Sequence, residues 1–200
     1  MKILILRHGH RDPLPQLSQG SFGDDLPLTP EGWKASHALG KSWKEAWENE
    51  PFAEIVSSPL KRCLQTAEAL KQGMQQEIPI HSSNLLGDPG PFIFDPQMAA
   101  PHFYEQTPEA LYRRYAEGTL LSGFRPFAEG MEQLLDFILK RKVDLSIMIT
   151  HDFVVAALIF YLTHTWVWIH FLQGVILNEK LELLNETGHP FLNKDGRFPV

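Results

Sequence analysis

The sequence predicts a three-layer α/β/α sandwich around a mostly parallel central sheet, and three observations carry that prediction. Ile3 to Leu6 and Leu145 to Thr150 are largely apolar runs without the alternation of a half-wetted strand, so both read as strands buried on two faces. Patterns with helical spacing follow such runs. Strand and helix signals then alternate along the chain, which is the order expected of helices packed above and below a sheet. With 200 residues and 44% hydrophobic content, the chain can bury the core of one domain, read as spanning residues 1–200.

After the first strand and a loop rich in Pro, Gly and Ser, Thr29-Pro30-Glu31 supplies an N-cap, a first-turn proline and an acid beside the positive helix end. A helix is expected there, with Ala35, Leu39, Trp43, Ala46 and Trp47 on its buried face. Phe52 to Ser57 reads as the second strand, and Ser58-Pro59 opens a helix striped by Leu60, Leu64, Ala67 and Leu70 and stopped by Gly73. Leu85 to Pro101 has no clear periodicity. Together with a short helix started by Thr107-Pro108-Glu109, it reads as an insertion over the sheet edge, reaching to about residue 126. Met131, Leu134, Leu135, Ile138 and Leu139 mark another helix, Phe153 to Leu162 a helix leaving the strand that ends at Thr150, and Gly174 to Leu177 a last strand.

The composition narrows the function. Eighteen Lys and Arg against 24 Asp and Glu give a net charge of -6, with no basic run to follow a nucleic-acid backbone, so nucleic acid is not an expected partner. A single cysteine, Cys63, excludes an intrachain disulfide framework and reads as a small buried helix residue in a reducing compartment. The apolar stretch at the N-terminus is only four residues long, too short for a signal core. Phe153 to Phe171 carries His164 and His170 and lacks the roughly 20 apolar residues of a membrane span. A cytoplasmic protein with no membrane partner is expected.

Ligands of open α/β sheets bind beyond the carboxyl ends of the strands, and here those ends are polar. The first strand runs into Arg7-His8-Gly9-His10-Arg11-Asp12-Pro13, the second through Ser57-Ser58-Pro59 to Arg62, and a later one into Thr150-His151-Asp152. Arg62 falls in the first turn of its helix, where the macrodipole disfavours a cation by a few tenths to about 1 kcal/mol. Either a bound anion compensates, since helix N-termini and guanidinium groups both favour phosphate, or Arg62 is an ordinary solvated residue. His8 alone reads equally as a core histidine or a neutral nucleophile, and Asp152 alone as an acid stabilising its helix N-terminus. Gly9 lets the backbone approach a ligand closely.

Together these residues resemble the histidine phosphatase superfamily, also called the phosphoglycerate mutase-like superfamily, from Lys2 to about Leu162. Arg7-His8-Gly9 is similar to its nucleophile motif, Ser58-Pro59-Leu60-Lys61-Arg62-Cys63-Leu64-Gln65-Thr66-Ala67 to its second-arginine helix, and Thr150-His151 to its second histidine. The resemblance implies a phosphoglycerate mutase-like fold and a phosphatase that needs no metal or other cofactor and acts on a small phosphorylated substrate. His8 would become phosphohistidine, with Arg7, Arg62 and protonated His151 around the phosphoryl oxygens. A carboxylic acid would protonate the leaving group and then activate water.

Two branches of the family leave the acid open. Mutases and small phosphatases usually carry Glu in the neighbourhood that Asp88 occupies here. The acid-phosphatase and phytase branch uses Asp directly after the second histidine and has Arg-His-Gly-x-Arg-x-Pro at the first, which His151-Asp152 and Arg7 to Pro13 match. Asp152 is therefore favoured as the acid, Asp88 is the alternative, and Arg11 is an added phosphate ligand. Substrate specificity is expected from residues 85–126, where Phe92, Phe94, His102, Phe103, Arg113, Arg114 and Arg125 face the pocket or pack. Phosphoryl transfer to a second hydroxyl, as in a mutase, and binding of phosphorylated ligands without turnover remain as alternatives. His8-x-His10 also resembles the metal pair of amidohydrolases, normally a barrel of about 250 residues.

Overall fold

The computed structural model describes residues 1–12, 25–88 and 90–184. Its strands β1 (Lys2–Arg7), β2 (Glu54–Ser57), β3 (Ile80–Ser82), β4 (Leu145–Thr150), β5 (Gly174–Asn178) and β6 (Leu183–Leu184) form one sheet in the order β3-β2-β4-β1-β5-β6. Strands β1 to β4 run parallel, β5 is antiparallel to β1, and β6 is antiparallel to β5. The expected mostly parallel sheet is therefore present. Strands β3 and β6, of three and two residues, are too short to leave a periodic signal.

Alternation along the inner strands divides the core between two helical layers. Leu4, Leu6, Ile55, Ile147 and Ile149 share a buried cluster with Trp47, Cys63, Ala67 and Leu70, the side of α1 (Pro30–Ala46) and α2 (Lys61–Met74). Ile3, Ile5, Val56 and Met148 face the opposite way, toward α5 (Pro108–Ala116), α6 (Phe127–Leu139) and α7 (Asp152–Thr163). Two one-turn helices, α3 (Pro96–Ala99) and α4 (His102–Glu105), precede α5. None of the helices is long and apolar enough to cross a membrane among the described residues.

Residues 85–126 pack onto a face of the sheet, not over its edge. Phe92, Leu111, Tyr115 and Phe124 are buried in the same cluster as Phe153 of α7, and Phe92 meets Phe153 edge to face at 4.9 Å. Aromatic burial substitutes here for the helical stripe that the sequence lacks.

The start of α1 is as expected, with the Thr29 hydroxyl accepting from Gly32 N. Its buried face is different. Ala35 and Ala46 are exposed, while Gly32, Ser36 and Gly40 are buried. On α2, Leu64 is 36% exposed, and Gly73 lies inside the helix, which stops instead at Gln75 in a left-handed conformation. Gly73 is needed for close approach: a Cβ there would lie 2.1 Å from His37 O, and one on Gly40 would lie 2.3 Å from Leu70 O. Two helix backbones touch at this crossing, and large apolar side chains would hold them apart.

This crossing fixes where the N-terminus of α2 sits relative to the loop after β1, so its integrity bears on the site. Gly73→Ala is expected to lower stability by roughly 1–3 kcal/mol, because overpacking against backbone outweighs the better helix propensity of alanine. Urea unfolding of the two proteins measures this, and a Gly73→Ala variant as stable as the parent would mean that the crossing tolerates separation.

Candidate active site

Strand register assembles the site. Arg7 pairs with Thr150 and Ser57 with Ile149, so His8, Ser58 and His151 emerge one residue beyond three adjacent strand ends. His8 N donates to Thr150 O at 3.0 Å, and Ser58 N to Ile149 O at 2.8 Å. Four residues beyond Ser58, in the first turn of α2, Arg62 is only 2% exposed. It is not a solvated surface arginine. No acidic side chain lies in that first turn and the N-cap residue Leu60 makes no side-chain bond, although Asp25 Oδ1 accepts from Lys61 N at 2.6 Å.

Arg62 contacts both histidines. Its Nε donates to His8 Nε2 at 3.1 Å, and its Nη2 reaches His151 Nδ1 at 3.3 Å and Asp88 Oδ2 at 3.3 Å. His8 Nδ1 lies 2.7 Å from Gly9 O, which can only accept. The ring therefore carries its proton on Nδ1 and a lone pair on Nε2. Gly9 N donates to the Thr66 hydroxyl, which donates to Arg62 O, tying the histidine loop to α2.

The other residues expected from the sequence converge on the same place. Arg7 Nη2 pairs with Asp152 Oδ2 at 2.9 Å, Nη1 donates to Ile169 O at 2.7 Å, and the guanidinium lies 4.1 Å from the Phe171 ring centre. Asp152 Oδ1 accepts from Phe153 N at the start of α7. The turn over Asn84–Leu86 is held to the end of β4 by the Thr150 hydroxyl, which donates to Leu86 O at 2.8 Å, and this brings Asp88 to Arg62. Arg11 bends back to Asp12 O and lies near enough to act electrostatically on His151, Asp88 and Asp152. Pro13, the last residue of the first motif, lies outside the described residues.

The charges set the protonation states. Burial holds His8 well below the ordinary imidazole value, and His151, Arg62 and Arg7 press it the same way, against the Gly9 hydrogen bond. Burial likewise lowers His151, reinforced by Arg62, Arg7 and Arg11. Both imidazoles are neutral. Desolvation raises Asp88 above the usual carboxylate range, opposed by Arg62 and Arg11. It also raises Asp152, where Arg7 opposes it and Asp88 adds to it. Arg7 Nε, Arg11 Nε and Arg62 Nη1 are buried N–H groups without partners among the described residues. Orphan guanidinium donors beside a histidine lone pair fit the oxygens of a phosphoryl group.

The expected specificity residues do not join this cluster. Phe92 is in the core, Phe103 stacks on Phe124, and His102 bonds Ser122. Arg113 pairs with Glu117, Arg114 bonds Gln106, and Arg125 lies over the ring of Phe94. Tyr112 and Phe171 take their place at the site. Tyr112 stacks on Phe153 at 4.2 Å and is kept a phenol by burial and by Asp152 and Asp88. Phe171 lies 5.6 Å from His8 and 5.0 Å from His10, ring centre to ring centre. Nothing in the spacing of either residue marks it, because tertiary packing alone brings it in.

The amidohydrolase reading fails on architecture, since the sheet is open rather than a closed barrel. His10 is also turned away from His8, with Nδ1 3.0 Å from the Thr29 hydroxyl.

Comparison with known proteins agrees with this architecture. TTHB049 from Thermus thermophilus has a similar structure, with a TM-score of 0.64 at 19% identity over 100% of both chains. Bacillus stearothermophilus YhfR gives 0.62 at 19% identity, over 99% of this chain and 98% of its own. Mycobacterial hydrolase 2 gives 0.63 at 14% identity, over 97% and 93%. No curated protein sequence matches. The family model of the histidine phosphatase superfamily (branch 1) matches residues 3–168. With this match across the strands and helices that bear the two histidines and their arginines, the chain belongs to the histidine phosphatase superfamily.

Proposed function

We propose that the protein hydrolyses a small phosphomonoester through a phosphohistidine on His8. The observation that carries this reading is the fixed lone pair of His8 Nε2, set among three arginines with orphan buried donors. Membership of the superfamily supports chemistry of the phosphatase or mutase type. In the unliganded protein the lone pair receives a hydrogen bond from Arg62, so attack on phosphorus requires Arg62 to exchange His8 for phosphoryl oxygens. The exchange is favourable because a charged acceptor binds a guanidinium more strongly than a neutral nitrogen does. As the P–O bond to the leaving group breaks, Arg7, Arg11 and Arg62 stabilise the charge spread over the equatorial oxygens. Water then attacks phosphohistidine, releasing phosphate and restoring neutral His8.

The sequence favours Asp152 as the acid, whereas the geometry favours Asp88. Both oxygens of Asp152 are occupied, Oδ2 by Arg7 and Oδ1 by Phe153 N, so a proton there would displace a cation or a helix-end donor. Asp88 has one described contact, the 3.3 Å pair with Arg62, and its side chain is 40% exposed. When Arg62 turns to the phosphoryl group, Asp88 loses the stronger of the two cations that oppose its protonation. In this reading Asp88 protonates the leaving oxygen and then takes a proton from the attacking water, while Asp152 positions Arg7.

Three outcomes test the proposal. Hydrolysis of nitrophenyl phosphate is expected to continue in excess chelator and to fall at least about a thousandfold in His8→Ala. Activity lost to chelator and restored by a divalent metal would contradict it.

The second outcome concerns pH. A histidine with a lowered pKa loses its lone pair only when the pH falls below the ordinary imidazole value, so the acid limb of kcat/KM is expected below about pH 6.5. An acid limb at or above that value, measured with nitrophenyl phosphate, would exclude a depressed nucleophile.

The third outcome separates the carboxylates. Asp88→Asn is expected to slow phosphorylation by an alkyl phosphate, whose leaving group needs a proton, far more than phosphorylation by nitrophenyl phosphate. Asp152→Asn should slow both alike by loosening Arg7. Rapid-quench timing of the phosphorylation step decides, and the reverse pattern would return the acid role to Asp152.

A further inference from the structure

We propose that Ser58 is a positioning residue that fixes the tautomer of His151 and so makes phosphate binding at this site take up a proton. The inference rests on the reading of the pocket as a phosphate site.

Both ring nitrogens of His151 have polar neighbours, and at Nε2 there are two, the Ser58 hydroxyl and, further off at 3.7 Å, the Cys63 sulfur. Nδ1 faces Arg62 Nη2 at 3.3 Å, and Nε2 faces the Ser58 hydroxyl at 3.0 Å. A guanidinium has donors only, so Nδ1 must accept, and the hydrogen of the neutral ring sits on Nε2. Ser58 is arranged to receive it. Its oxygen also accepts from Leu60 N at 3.3 Å, while the Cys63 thiol, which donates to Thr150 O at 3.8 Å, is a weaker and more distant acceptor for Nε2–H. The side chain is fully buried, so water does not compete.

The ring thus offers the pocket a lone pair, not an N–H. Against a phosphate dianion a lone pair is repulsive. The contact becomes attractive when one proton sits between His151 Nδ1 and a phosphate oxygen, brought either as P–OH of the monoanion or from water. Before an anion arrives, the surroundings oppose that proton. Arg62 of α2 and Arg7 and Arg11 beyond β1 all disfavour imidazolium. The His8 ring, 5.4 Å away, is neutral, and Cys63 is a thiol pushed up to about 12. The two nearby carboxylates are each committed to an arginine, Asp88 to Arg62 and Asp152 to Arg7. Bound phosphate offsets the arginine charge, and the proton then enters at Nδ1 while Nε2–H stays on Ser58. Without the hydroxyl, the ring is free to carry its hydrogen on Nδ1 and donate to the dianion directly.

Calorimetric titration with inorganic phosphate at about pH 8.5, in buffers of different ionisation enthalpy, counts the protons exchanged on binding. The His8→Asn background removes any proton taken up by the nucleophile. With Ser58 in place, uptake of about one proton per phosphate is expected, and Ser58→Thr, which keeps the hydroxyl, should match it. Ser58→Ala should fall to less than about half. Equal uptake with and without the hydroxyl, or none in any form, overturns the proposal. Nitrogen NMR of histidine-labelled unliganded wild type gives a check that needs no variant: His151 is expected as the Nε2–H tautomer, and Nδ1–H would refute the assignment. Phosphate that binds through Arg62, shown by loss of binding in Arg62→Ala, but without proton uptake sinks this inference alone. Phosphate that fails to bind, or binds equally well in Arg62→Ala, sinks the phosphate-site reading and this inference with it.

Discussion

A buried cation at the positive end of a helix is the constraint on which the site depends. Arg62 is almost inaccessible to water, sits in the first turn of α2, and has no acid in that turn to balance it. Its charge is distributed over acceptors from three other segments: His8 after β1, Asp88 after the Asn84–Leu86 turn, and His151 after β4. Only one of those acceptors is anionic. A buried cation so incompletely paired is unfavourable in isolation, and its Nη1 has no partner among the described residues. An anion would complete the arrangement, and in the proposed function phosphate is that anion.

The two carboxylates are neighbours with unlike environments. Each faces an arginine, but Asp152 also receives a backbone N–H at the start of α7, whereas Asp88, just after a turn, receives only the Arg62 guanidinium among the described residues. Asp88 presses Asp152 toward protonation, where Arg7, the Phe153 N–H and Arg11 oppose it, whereas at Asp88 the opposing groups are Arg62 and Arg11. The division of roles proposed for the acid and the positioning carboxylate thus follows from their donors and needs no special chemistry in either residue.

Much of this is legible in the sequence, and what is not has identifiable causes. Strands β1 and β4 stand out because burial on both faces leaves apolar runs, and the charged residues directly after them are conspicuous for that reason. The buried face of α1 is hidden because Gly32, Ser36 and Gly40 are small, and a search for large apolar residues selects Ala35 and Ala46 instead. Gly73 signals a helix stop for the same reason, although its function is contact with His37 and Gly40. Residues 85–126 pack through aromatic rings in an irregular segment, so Tyr112 cannot be separated from Phe103 or Arg113 by spacing. Ser58 is visible as part of a helix start. Its contact with His151 spans 93 positions and depends on sheet register.

Register explains why this hydroxyl and this guanidinium act on one imidazole. Ser57 is paired with Ile149 in the sheet, so Ser58 leaves β2 beside the end of β4, just where His151 begins. One helical turn later the chain has come around, and Arg62 approaches the same ring from its other nitrogen. A single strand-to-helix connection thus holds both sides of His151, and the Gly40 and Gly73 crossing holds that connection against α1. Displacement of α2 would release the hydroxyl and the guanidinium together, coupling the tautomer of the second histidine to the placement of Arg62. The protonation state of the pocket is therefore a property of how two helices and three strand ends are packed, rather than of the histidine alone.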